Sequence, residues 1–346
     1  MYIRNEPPWF AFLIHPRAID DLFSWKGSRL LREYSDSDDE FVAKATTLEA
    51  TISGEVLFGF GGMRGELIGV MRLPHQLMAP GGREAVAEAV ALAVDRGAKV
   101  IGLGALTAPA TAAGKGVVKQ LPSGVALTTG NAYTAAVSRH NVVTAAASLG
   151  LSRPAHVAVV GATGSVGVPA SHLLVREGFD VTVIGRNLGR VRATLGDLDG
   201  EAVFADSLDP VQKADVVLVL TSETSALLRP SDVRPGTIIV DVTQPQNISA
   251  ATEAQFAEHG VRVLPGGLVH IDKYRSTYDF ALPIRGATFA CLAETYLRAR
   301  EGLREHSVGA PRPEVALHME QIARRHGVRP VPLDLTSPLT AKGDRR

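Results

Sequence analysis

Cysteine is almost missing from this chain: among 346 residues Cys291 stands alone. No intramolecular disulfide can form, which agrees with a reducing compartment. Net charge is missing as well, with Lys+Arg and Asp+Glu at 36 each. No overall basic field therefore exists to hold a nucleic-acid backbone or an anionic membrane surface. The longest apolar runs, such as Trp9 to Ile14 and Val216 to Leu220, fall far short of the roughly 20 residues that span a bilayer. No succession of charged, apolar and small residues like a signal peptide opens the chain, and the cytoplasm is the expected location. Gly-x-Ser-x-Gly is absent, which leaves a serine-hydrolase elbow without support. No histidine pair has the spacing of a zinc site, so no metal is expected.

What is present divides into two rhythms. At this length one hydrophobic core stops growing, so two lobes are expected. From Trp9 to about Leu149 short apolar strands (Phe10 to Ile14, Gly54 to Phe60, Glu66 to Met71, Val100 to Leu103) surround an alanine-rich helix from Gly82 to Asp95. A second Ala- and Val-rich helix follows from Asn131 and is closed by Gly150. From His156 strands and helices alternate through Val261 to Leu264, a pattern that forces a parallel sheet because parallel neighbours need a crossover. The expected fold is α/β: a Rossmann-type doubly wound NADP-binding domain plus a discontinuous α/β substrate lobe completed by C-terminal helices. The expected boundaries are 1–150 for the N-terminal lobe, 151–270 for the nucleotide domain, 271–335 for the helical segment with Cys291 and 336–346 for a flexible tail.

The strand Val157 to Val160 runs straight into Gly161-Ala162-Thr163-Gly164-Ser165-Val166-Gly167, and that loop opens a helix. In this context Gly161 permits the tight turn, Gly164 lets main-chain N–H groups approach a pyrophosphate and Gly167 lets the helix lie close to the sheet. The phosphates would sit at the positive end of the helix. After the second strand of this domain an Asp or Glu would bind the ribose hydroxyls of NAD; instead the chain reads Gly185-Arg186-Asn187, with Arg190 and Arg192 close behind. A guanidinium suits a 2′-phosphate, so NADPH is the expected cofactor. Thr221 and Ser222, with Glu223 and Thr224, follow the fourth strand of that domain and are candidates to meet the nicotinamide side.

Pro283 and Gly286 precede a helical pattern that places Cys291 in its first two turns, where a helix dipole and Arg285 would favour the thiolate. Phe289, Leu292, Tyr296 and Ala299 share an apolar face of that helix. Thr288, Glu294, Thr295 and Arg298 flank the cysteine, so the sulfur need not face the core. His270 follows the Gly266-Gly267 turn and is a candidate proton donor, with structural hydrogen bonding as its other reading. His15, His75 and His140 are weaker candidates.

Gly102-Leu-Gly-Ala-Leu-Thr107, Leu127-Thr-Thr-Gly-Asn-Ala-Tyr-Thr134, Val159-Val-Gly-Ala-Thr-Gly-Ser-Val-Gly167, Gly266-Gly267 and Phe289-Ala-Cys-Leu-Ala-Glu294 come in an order and spacing that resemble the long-chain acyl-[acyl-carrier-protein] reductases, which make fatty aldehydes. The likeness runs from about Phe10 to Leu335. It implies NADPH-dependent reduction of a fatty acyl thioester, with Cys291 carrying the acyl group and an acyl carrier protein or coenzyme A as donor. Thr129 and Asn131, with main-chain N–H groups of the helix start, are candidates to stabilise the oxyanion. Lys115, Lys119 and Arg139 are candidates to meet an acidic carrier. The extension before Phe10, Ala105 in place of a glycine-aromatic step and His270 in place of an acidic residue depart from that pattern and bear on chain length and proton donor. Two other readings use the same two-lobe plan: a shikimate- or methylene-pterin-type dehydrogenase with no sulfur nucleophile, and a non-catalytic NADPH-binding sensor.

Overall fold

The computed structural model describes residues 8–25, 27–59, 62–223, 227–282 and 284–337. The expected strand end at Phe60, Pro283 ahead of the cysteine helix and Thr224 lie outside these residues. Two units partition the chain: Met1–Gly130 with His270–Gly309 and Ile322–Arg329, and Asn131–Val269 with Ala310–Gln321 and Pro330–Arg346. The principal helices are α1 (Gly82–Asp95), α2 (Asn131–Ser148), α3 (Gly167–Arg176), α4 (Leu188–Leu195), α5 (Ala250–Glu258) and α6 (Ala290–Arg300).

The first unit is built on β1 (Phe10–Ile14), all five residues of which are buried. A strand apolar on both faces needs cover on both. It pairs in parallel with β3 (Met63–Gly69) and β4 (Val100–Leu103). Beyond β3 lies the antiparallel β2 (Thr51–Phe58), and beyond β4 the parallel β5 (Ala126–Thr128). The short strand Arg275–Ser276 joins the outer edge of β2, so residues after 270 complete this sheet. On one face Ala11, Leu13, Ile68 and Leu103 pack with Val86, Ala89, Val90 and Ala93 of α1, whose three- and four-residue spacing forms the helix's apolar stripe. Against β1 and β4 lies α6; a Cβ on Gly102 of β4 would fall 2.1 Å from Thr295 Oγ1, so only glycine lets the helix ride this close. Phe58 stacks on Tyr296 of α6 with ring centroids 4.2 Å apart. Three short helices over Ile19–Ser24, Ser28–Glu33 and Asp38–Ala45 were not expected; each falls short of the roughly 11 residues over which apolar periodicity can be read.

The second unit is a six-stranded, wholly parallel sheet: β6 (His156–Val160), β7 (Asp180–Ile184), β8 (Ala202–Ala205), β9 (Val216–Val219), β10 (Ile238–Asp241) and β11 (Arg262–Pro265), ordered β11-β10-β9-β6-β7-β8. This is the dinucleotide-binding order, in which the chain steps outward from β6 to β8 and then restarts on the other side at β9. The switch point lies between β6 and β9, and ligands of such sheets sit outside the carboxyl ends there. The doubly wound α/β fold expected from the alternation of strands and helices is the fold observed. Strand and helix limits differ from the expected ones by at most three residues, the largest shifts being at the starts of β2 and β3, except at the cysteine helix. There a short strand, Ala287–Phe289, precedes α6, and Phe289 rather than Gly286 is the cap residue.

Candidate active site

Dinucleotide chemistry belongs to the second unit. Gly161 adopts φ +89°, and a Cβ on it would lie 2.9 Å from the Leu220 carbonyl carbon. A Cβ on Gly167 would lie 2.3 Å from the Gly161 carbonyl oxygen. Both glycines are therefore required by close backbone approach and not by flexibility. The turn is closed by Gly164 N–H donating to Gly161 O at 3.0 Å, and Gly161 and Ala162 both donate to Ile184 O at 3.1 Å. Thr163 packs against the end of β7, where a Cβ on Gly185 would be 3.3 Å from its methyl. Among the described residues the N–H groups of Ser165, Val166 and Gly167 meet no main-chain acceptor, and they stand at the start of α3. Three unengaged donors at the positive end of a ten-residue helix fit the phosphates of a dinucleotide.

Around this loop the carboxyl ends of β7, β9 and β10 supply the other groups. Arg186 projects from the end of β7 with its side chain 90% exposed, and its Nη1 lies 3.6 Å from Glu223 Oε2. Asn187 is the cap of α4, its Oδ1 accepting from Arg190 N–H at 2.8 Å. Arg192 lies over the Phe204 ring. No acidic residue stands between Ile184 and Arg192. Thr221 Oγ1 accepts from Glu223 N–H at 3.0 Å.

A buried hub missed by sequence reasoning ties these loops together. Asp241 ends β10 almost wholly buried, and its carboxylate accepts from Thr243 N–H (3.0 Å), Thr243 Oγ1 (2.6 Å), Asn247 N–H (3.0 Å) and Ile248 N–H (3.1 Å). Burial pushes this carboxyl above the usual range, and the hydrogen bonds from Thr243, Ile248 and Asn247 offset only part of that rise. Asn247 then reaches back to the other loop: its Oδ1 accepts from Leu227 N–H at 3.0 Å and its Nδ2 donates to Glu223 O at 3.2 Å. Asp-x-Thr followed by Asn four residues later is an Asx-type pattern that could have flagged it.

Cys291 belongs to the first unit and is the second residue of α6. The expected helix position is correct, but the expected lowering of its thiol pKa is not. Burial pushes the thiol up to about 12, and the nearby Glu294 carboxylate adds to the rise. Main-chain N–H groups of Leu292 and Ala105 oppose the shift and are outweighed. Arg285 is exposed and plays no part in it. The cover comes from the Thr-Thr-Gly segment: Gly130, at φ +69°, presses so closely that a Cβ on it would lie 2.3 Å from both Cα and Cβ of Cys291. Next to it Thr128 donates to Glu294 Oε1 at 2.7 Å inside the core. The polar residues of α6 that flank the cysteine lie in the core: Glu294 and Thr295 are fully buried and Arg298 nearly so. Thr295 Oγ1 donates to the Cys291 carbonyl at 3.0 Å, and Arg298 Nη2 to the Glu305 carbonyl.

The remaining candidates separate. Thr129 Oγ1 donates to Ser307 O at 3.3 Å, which commits its hydroxyl within the first unit. Asn131 is the first residue of α2 and falls in the second unit. His270 lies in the first unit with Nδ1 3.7 Å from Asp272 Oδ1. His15 is buried and structural: Leu106 N–H donates to its Nε2 at 3.2 Å while Nδ1 faces Pro16 O at 2.8 Å. Arg139 is engaged by Glu177 and Glu320 within the second unit.

Residues 144–260 match the family model described as shikimate / quinate 5-dehydrogenase. The chain is also similar to the aminotransferase PigE of Serratia sp. (strain ATCC 39006), 26% identical over 263 residues that cover 73% of this chain and 30% of that protein. It thus spans less than a third of the length of that curated relative. Among solved structures it is similar to quinate dehydrogenase from Corynebacterium glutamicum in complex with NAD (14% identity, 91% of this chain and 99% of that one, TM-score 0.41) and to dipicolinate synthase A chain from Bacillus subtilis (15%, 70% of each, TM-score 0.33). With TM-scores this low, these stand as likenesses only. Glycine loop and strand order define a dinucleotide-binding domain, and the family model that matches residues 144–260 is one of dehydrogenases. The match overturns the resemblance to acyl-[acyl-carrier-protein] reductases, and with it acyl-thioester reduction through Cys291. The raised thiol agrees with that correction, because the thiolate is the attacking species.

Proposed function

We propose that the protein is an NADPH-dependent dehydrogenase of the shikimate/quinate type, acting on an alcohol–ketone couple without a covalent enzyme intermediate. The observation that carries the cofactor half is the end of β7, where Arg186 occupies the stretch in which an NAD-binding Asp or Glu would stand, in a position that would meet the adenosine ribose. When bound, the cofactor supplies or accepts the hydride. The chain's own residues hold the phosphates at the start of α3, set Arg186 against the 2′-phosphate and keep the loop after β9 in place through Asp241 and Asn247. The accompanying proton is assigned to His270, half-exposed and with its Nδ1 3.7 Å from Asp272 Oδ1.

The test is direct. Purified protein is mixed with NADP⁺ and shikimate, quinate and related cyclic hydroxy acids, and absorbance of the reduced nicotinamide is followed. Turnover with at least one such alcohol, or with its ketone in reverse, is expected, with NADP⁺ favoured over NAD⁺. Cofactor binding with no turnover on any alcohol or ketone would overturn the reaction class. His270→Gln is expected to lower kcat at least tenfold and leave the NADPH Kd unchanged.

A further inference from the structure

The Arg186–Glu223 contact has an unusual path. Arg186 follows β7 and Glu223 follows β9, and these strands lie on opposite sides of β6. Two inter-strand steps separate them, about 10 Å in the sheet. A side-chain contact of 3.6 Å between them must therefore arch over the carboxyl end of β6, where Gly161 begins the phosphate loop. The adenosine half of a dinucleotide runs along that same edge, from the loop toward the end of the second strand.

Glu223 is placed there by a built support. Its N–H is held by Thr221 Oγ1 at 3.0 Å and its carbonyl by Asn247 Nδ2 at 3.2 Å. Asn247 is fixed in turn through its N–H on the buried Asp241 carboxylate. The backbone of residue 223 is thus anchored from the core, while the Glu223 carboxylate is partly exposed and turned toward the guanidinium.

We propose that Glu223 is a specificity-determining residue for the cofactor, its carboxylate competing with the 2′-phosphate for Arg186 and so tempering the preference for NADPH over NADH. This rests on the reading of Arg186 as the 2′-phosphate residue. A carboxylate and a phosphate monoester offer a guanidinium the same paired oxygen acceptors, so one excludes the other. Once the phosphate binds, Glu223 also stands as a like charge close to it.

The probes are NADPH, NADH, 2′,5′-ADP and 5′-AMP, with Kd measured by calorimetry and folding checked by thermal melting. Glu223→Gln is expected to tighten NADPH and 2′,5′-ADP about two- to fivefold, the range of exposed ion pairs, with NADH and 5′-AMP unchanged. The gain should vanish in Arg186→Ala and shrink with added salt. If Arg186→Ala weakens 2′,5′-ADP but Glu223→Gln leaves it unchanged, the competition is wrong while the cofactor reading survives. If wild-type protein binds 2′,5′-ADP and 5′-AMP equally and Arg186→Ala changes neither, the cofactor reading fails, and this inference with it.

Discussion

At neutral pH the Cys291 sulfur keeps its proton, because burial under Gly130 and the proximity of Glu294 disfavour the thiolate more than the main-chain N–H groups of Leu292, Ala105 and Cys291 favour it. Reaction with a disulfide reagent at pH 7 is expected to be far slower than for a free thiol, and to accelerate only as pH climbs toward 12. A rapid, stoichiometric reaction at pH 7 would contradict this. Cys291→Ala is expected to retain NADPH binding and carbonyl reduction; complete loss of turnover with intact folding would return the sulfur to the chemistry. His15 sets an acid limit of a different origin. Its pKa falls from 6.5 to about 4 on burial, so folding contributes most above pH 6.5 and loses stability as pH drops toward 4, where the ring must be charged in its pocket. Thermal melting between pH 7 and 4 should show a loss of about 3 kcal/mol from this residue. The slope should flatten in His15→Gln.

At the scale of elements, two glycines separate local conformation from function. Gly130→Ala forces a Cβ into the backbone of α6 at a positive φ, and is expected to destabilise the first unit by about 2–4 kcal/mol in chemical denaturation. Gly167→Ala drives a Cβ into the Gly161 carbonyl, and should weaken NADPH at least tenfold through the displaced loop. The second of these was legible from sequence, because a strand running into Gly-x-x-Gly-x-x-Gly before a helix specifies its own geometry. The first was not. Gly130 looks like a turn residue until the distant α6 is laid on it, and the same absence of long-range information reversed the expected pKa of Cys291. The polar residues of α6 illustrate the same limit of local pattern: Glu294, Thr295 and Arg298 find their partners at Thr128, at the Cys291 carbonyl and at the Glu305 carbonyl, none of which helical spacing reveals as a buried surface.

Across the whole molecule the alternation of strand and helix from His156 onward was enough to specify a doubly wound sheet, since buried parallel strands read as unbroken apolar runs. The reaction was not specified in the same way. A glycine loop and a solitary cysteine occur in dinucleotide enzymes of many chemistries, so motif order pointed to the fold correctly and to acyl transfer wrongly. Saturating NADPH should stabilise the second unit by mass action, about 2.7 kcal/mol at a hundredfold excess over Kd, and slow hydrogen exchange in Gly161–Gly167. Uniform protection with no focus on that loop would place the ligand elsewhere.

The six-stranded sheet of the first unit is completed only when α6 and the strand Arg275–Ser276 arrive, although its other five strands precede residue 130. During vectorial synthesis the ribosome must therefore translate Asn131–Val269, on the order of ten seconds of elongation, before the earlier sheet receives its missing helix. Nascent β1 to β5 spend that interval without the helix, so Phe58 waits for Tyr296, the ring it stacks on in the finished fold.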